Sequence, residues 1–209
     1  IFGCLRENDL FKNTWVIFTA DHGEMLGDHH MSQKNLFFEG SAHVPLLIMP
    51  PQGRSLPQNI SVEAPTDLVD IYPTILAMAG LSSPVSVSGK NLLEPVPMDR
   101  MFFGNSLNKN FCVMEEKVKL VYSAVGDHVL LFDLNTDPME QHNLAEDPAW
   151  QERKAKLWKL LLEHTAQYTP EALDENGQFL TYEAPHFPGD VPGRWFGFHY
   201  HDYSVDTFH

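Results

Sequence analysis

An aspartate and a histidine, Asp21 and His22, stand side by side where an apolar run stops, and Gly23 follows them. A carboxylate offers hard oxygen donors and a neutral imidazole offers a nitrogen, so the pair can hold half the shell of a divalent ion. The plainer reading makes Asp21 a turn cap and His22 an ordinary loop histidine. Lys34 lies 13 residues after Asp21 in a polar loop that also carries Asp28, His29 and His30. A lysine there is by default solvated. The loop's aspartate and histidines either orient Lys34 and the ligands or stay in solvent, and His29 is a candidate for substrate contact.

Two elements must position these groups. Trp15, Val16, Ile17 and Phe18 form a short apolar run, β-branched and aromatic, that reads as a buried strand. Val44 to Met49 reads as a second, closed by Pro50-Pro51. Both are apolar throughout, which predicts burial on both faces within a larger sheet. The edge beyond the carboxyl ends of such strands is where open α/β sheets bind ligands, and Asp21 and His22 sit there.

The whole string carries more than the pair. Asp21-His22-Gly23-Glu24, Leu26-Gly27-Asp28-His29, Lys34, Phe38-Glu39 and Val44-Pro45-Leu46 follow one another in a register that resembles the sulfatase family of the alkaline-phosphatase superfamily. The resemblance implies an α/β fold: the C-terminal part of an alkaline-phosphatase-like core, then a small subdomain of antiparallel sheet and helix. It implies hydrolysis of a small-molecule or saccharide sulfate ester. Asp21 and His22 would bind one divalent ion, calcium by family and Mg2+, Mn2+ or Zn2+ by donor chemistry. Lys34 would contact the sulfate and stabilise charge on a departing oxygen, so Lys34 and His22 are the catalytic candidates. The family's nucleophile is a formylglycine made within C-x-P-S-R. Neither Cys4 nor Cys112 lies in that pattern, and no Asp-Asp pair occurs. The nucleophile is therefore expected outside this chain, which alone should be inactive. Two other readings stay open: a phosphonate or phosphate ester hydrolase of the same superfamily, and a non-catalytic metal-binding relative.

Composition bounds these readings. The 209 residues carry a net charge of −14, which argues against nucleic acid as a partner. No run approaches the length of a membrane span. The two cysteines leave the compartment open. The chain begins at Ile1, and Ile1, Leu5, Leu10 and Phe11 read as the tail of an amphipathic helix. The expected partner is thus a missing N-terminal part of the same protein.

The remaining sequence divides near residues 95 and 168. Within 1–95, Pro65 to Gly80 predicts a helix with Thr66 as N-cap and a break near Tyr72 caused by Pro73. Within 96–168, Met101–Gly104, Phe111–Glu115, Val118–Ala124 and Val129–Asp133 predict four antiparallel strands, and Pro148–Tyr168 an amphipathic helix. Glu24 and Glu39 read as structural partners. The aromatic tail, 169–209, is expected to pack back on the body. The sharper alternative sends Arg194 or His199 to the substrate.

Overall fold

Trp15 to Phe18 does become a strand. In the computed structural model, which describes residues 1–31, 34, 37–54, 61–83 and 87–183, β1 (Val16–Thr19) follows a short helix α1 (Phe2–Glu7) and a 3-10 turn (Leu10–Lys12). It pairs antiparallel with β2 (Leu46–Met49), Val16 opposite Met49 and Thr19 opposite Leu46. The expectation of burial on both faces fails within this chain: β1 and β2 form a two-stranded sheet whose Phe18, Leu47 and Met49 are exposed. Side chains alternate across a strand, so Phe18, Leu47 and Met49 share the more exposed face, while Ile17, Leu46 and Ile48 on the other are half-buried.

The helix after β2 starts later than its sequence suggests. Asp67, not Thr66, is the cap: its carboxylate accepts from the Val69 N–H, while Asp70 reaches back to the Asp67 N–H in a capping box. A 3-10 turn (Leu68–Asp70) then passes into α3 (Ile71–Met78), and that junction is the irregularity expected near Tyr72. Pro73 causes no kink, because it lies in the first α-helical turn, where the N–H it lacks is an orphan anyway. Asp70 is fully buried and accepts from the Lys90 N–H at 2.7 Å, and the Thr74 hydroxyl accepts from Leu92 at 2.9 Å. Gly89 passes so close to Val69 that a Cβ would meet its carbonyl oxygen at 2.1 Å. Gly80, at φ 72°, ends the helix.

The strand-rich half follows its sequence closely. β3 (Phe102–Ser106), β4 (Asn110–Glu115), β5 (Val118–Ser123) and β6 (His128–Asp133) form an antiparallel meander in chain order. Glu116 and Lys117 close the β4–β5 hairpin, both at positive φ, a turn usually built with Asn-Gly. The period of two splits the sheet's residues. Phe111, Val113, Leu120, Tyr122 and Leu131 form a core with Leu157 and Leu161 of α4 (Gln151–Tyr168). Cys112, Val121, Leu130 and Phe132 face the other way and are covered by Met25, Met31 and Phe38. Both faces are thus covered, and every residue of β5 is buried. The tail packs back as far as it is described: Phe179 is buried against Phe111 and Tyr122, and Tyr182 bridges to Val125.

Two compact units result. One joins Ile1–Asp21 with Val44–Met98; the other joins His22–His43 with Asp99–His209. The loop that follows β1 therefore folds with the meander.

Candidate active site

Asp21 is the last residue of the first unit and His22 the first of the second, joined by one peptide bond. Both are exposed. The Nδ1 of His22 lies 2.7 Å from the Gly23 carbonyl oxygen. A carbonyl only accepts, so Nδ1 carries the proton and Nε2 is the ring atom with the lone pair. Backbone hydrogen bonding at one ring nitrogen is how proteins orient a histidine whose other nitrogen binds a metal.

Gly23 is fixed by close approach. Its N–H donates to the Ser41 carbonyl at 2.7 Å, and the Glu24 N–H donates to the Gly40 carbonyl at 2.9 Å. These bonds join the two ends of the loop. A Cβ on residue 23 would sit 2.1 Å from the Gly40 oxygen, so only glycine can follow His22 without moving this backbone.

The middle of the loop is tied down by its apolar residues. Met25, Met31 and Phe38 are buried on the meander. Between them the chain turns tightly, with Leu26, Gly27 and His29 at positive φ. The His29 ring stacks on Phe38 at 4.2 Å, so His29 is held by an aromatic neighbour within the loop. Phe37 lies over Gly104, where a Cβ would approach its ring to 2.2 Å. Lys34 is exposed in a bend, with no hydrogen bond or ion pair to another described residue. Arg194 and His199 lie outside the described residues.

A further tie on the loop comes from the meander itself. Lys119, on β5, is buried beside Val121 on the loop-facing side of the sheet. Its ammonium donates to the Phe37 carbonyl at 2.9 Å, to Glu140 Oε1 at 2.8 Å and to Glu39 Oε1. Glu140 Oε2 accepts from the Glu39 N–H at 2.7 Å. Glu39 also pairs with His43 Nδ1 at 2.7 Å, so its structural reading holds. Burial drives the Glu140 carboxyl up, against the pull of Lys119. For Lys119 burial acts downward, but the attraction of the Glu140 and Glu39 carboxylates outweighs it and holds the ammonium charged. Burial pushes the neighbouring Cys112 thiol up to about 12, which makes it an inert core residue. The available signal was a lysine inside an apolar strand, a position lysines occupy only when paired.

Among the described residues, no three of His, Cys, Asp or Glu converge as a metal cluster. Asp21 and His22 can therefore form only part of a coordination shell, an anionic oxygen and a neutral nitrogen.

The profile described as Sulfatase matches residues 1–81. Arylsulfatase K of Xenopus laevis is 33% identical over 165 residues, 69% of this chain and 30% of that protein. The phosphonate monoester hydrolase of Agrobacterium radiobacter superposes with a TM-score of 0.62 at 31% identity, over 84% of this chain and 40% of its own. A protein solved in complex with its substrate D-glucosamine-2-N,6-O-disulfate gives a TM-score of 0.62 at 22% identity, over 81% of this chain and 37% of its own. The fold is the C-terminal α/β portion of the alkaline-phosphatase-like architecture. The chain belongs to the sulfatase family and spans about 30% of the length of the curated relatives it matches.

Proposed function

We propose that this chain supplies part of the active site of a sulfate ester hydrolase, acting on a small-molecule or saccharide sulfate. Asp21 and His22 are two ligands of one divalent ion, calcium in the first instance. Lys34 is a cation for the sulfate. The observation that carries this reading is the His22 Nδ1 contact with the Gly23 carbonyl, 2.7 Å, which leaves Nε2 as the ring's donor atom, in the residue that follows Asp21 in the chain. The bound ion would supply Lewis-acid stabilisation of the sulfate oxygens. Asp21 contributes the anionic charge that holds such an ion, and His22 a neutral donor of fixed tautomer. Lys34, exposed in its bend, offers an ammonium to charge that builds up on the ester. The nucleophile, a formylglycine by family resemblance, and the remaining ligands lie in a part of the protein outside these residues, so the 209 residues alone turn nothing over.

In an active protein containing this chain, Asp21→Ala should reduce metal content and turnover together, and His22→Ala should do so less severely. Normal metal content by elemental analysis, with a normal rate in Asp21→Ala, overturns the ion-site assignment. A phosphonate monoester substrate is the second reading, favoured by the 31% identity to a phosphonate monoester hydrolase. Comparing kcat/KM for an aryl sulfate and an aryl phosphonate monoester separates the two.

A further inference from the structure

We propose that Glu140 and Lys119, outside the site loop, are positioning residues for it. The proposal rests on the reading that His22 and Lys34 act on ion and sulfate. Lys119 and Glu140 are 3% and 3% exposed, and Glu39 shares their ammonium. A buried ion pair of this kind is seldom more stabilising than apolar residues of the same volume. What it adds is direction. Glu140 uses its two oxygens on two donors, the Lys119 ammonium and the Glu39 N–H. The second bond fixes where α2 (Glu39–Ala42) begins. The next residues, Gly40 and Ser41, accept from the Glu24 and Gly23 N–H groups, and the Gly23 carbonyl in turn accepts from the His22 imidazole. Lys119 holds the same turn from its other side through the Phe37 carbonyl. A short hydrogen-bonded path thus runs from Glu140 to the His22 ring. Both stretches that flank Lys34 are fastened to the meander, through Met31 on one side and Phe37 and Phe38 on the other.

Glu140→Gln tests this in an active protein containing this chain. An amide has one acceptor oxygen, so its NH2 must face either Lys119 or the Glu39 N–H, and one arm of the tie is lost. Leu157→Ala is the control: it weakens the same unit through the opposite core, which holds α4. The first readout is trypsin cleavage after Lys34, the only lysine or arginine between His22 and His43. Well below both melting temperatures, cleavage should run about tenfold faster in Glu140→Gln than in wild type or Leu157→Ala. The second is kcat, which should fall about tenfold to a hundredfold in Glu140→Gln only, the scale of small misplacements of a reacting group. Where Glu140→Gln does not fold, Lys119→Arg, which keeps the charge but not the reach, takes its place. Equal cleavage and equal kcat in the two variants reduce the pair to ordinary core stability and overturn the proposal. Faster cleavage with unchanged kcat overturns it as well, because a loosened loop would not matter to the chemistry. If wild type lacks turnover altogether, the hydrolase reading fails by itself, and the cleavage rates still decide whether the loop is tied by Glu140.

Discussion

Phe18 and Leu47 face each other across the β1–β2 ladder, and each is 59% exposed. Met49 continues the strip on the same side. Paired apolar side chains on an uncovered sheet face invite association with other chains. The isolated chain should therefore aggregate. Replacing the pair by an opposed cross-strand ion pair, Phe18→Lys with Leu47→Glu, should lower light scattering several-fold at equal concentration, since such a pair keeps the ladder compatible. Unchanged scattering would assign the association to another surface.

Gly23→Ala should disrupt the candidate site without touching any group that does chemistry. The added methyl would sit 2.1 Å from the Gly40 oxygen, so the loop ends must part and the Gly23–Ser41 and Glu24–Gly40 bonds weaken. Overpacking against fixed backbone costs about 1–3 kcal/mol. The predicted result is a lower melting temperature with weaker metal binding, read by thermal unfolding and by metal titration. Wild-type metal affinity in this variant would show that the loop ends do not hold His22.

What could be read from the sequence was what local pattern controls. The four meander strands and α4 fell where alternation and helical spacing put them, because each buries its own face within the same unit. The register through Asp21, His22 and Lys34 identified the family. The exposure of Phe18 and Leu47 is not legible in the sequence, because burial depends on partners that no local pattern reveals. The cap moved from Thr66 to Asp67 because the capping box closes on Asp70, three residues after Asp67. Lys119, Glu39 and Glu140 were out of reach for a further reason. Their contacts span 80, 101 and 21 residues, and charge patterning along the chain does not report such separations.

Acid should destabilise the meander unit partly through His164. Its ring lies flat on Phe103, 4.0 Å between centroids, and burial holds its pKa below the ordinary value of 6.5. The unfolded chain then binds the proton more readily than the folded one. This contribution to stability is present above about pH 6.5 and is lost as pH falls through the folded value. His128, also lowered by burial, acts in the same direction. His164→Phe keeps a flat ring on Phe103 but cannot take up a proton. The gap in melting temperature between this variant and wild type should widen in the variant's favour from pH 7.5 to pH 5.5, conditions chosen to bracket the unfolded value. A gap that stays constant would show that His164 does not contribute to the acid sensitivity.

Lys34 is exposed, as Asp21 and His22 are, and its role is the easiest to separate from folding. It lies in a bend and forms no hydrogen bond or ion pair with another described residue, so Lys34→Ala should leave the melting temperature within about 1 °C of wild type. If its ammonium meets charge that develops on the sulfate, kcat for an activated aryl sulfate should fall about a hundredfold or more, the scale for losing one preorganised charge stabiliser. Lys34→Arg should restore part of this, because the charge returns while the planar guanidinium presents it differently. The split between constants carries the decision. Loss in kcat assigns Lys34 to the transition state, whereas a rise confined to KM assigns it to uniform binding of the ester and removes it from the catalytic set.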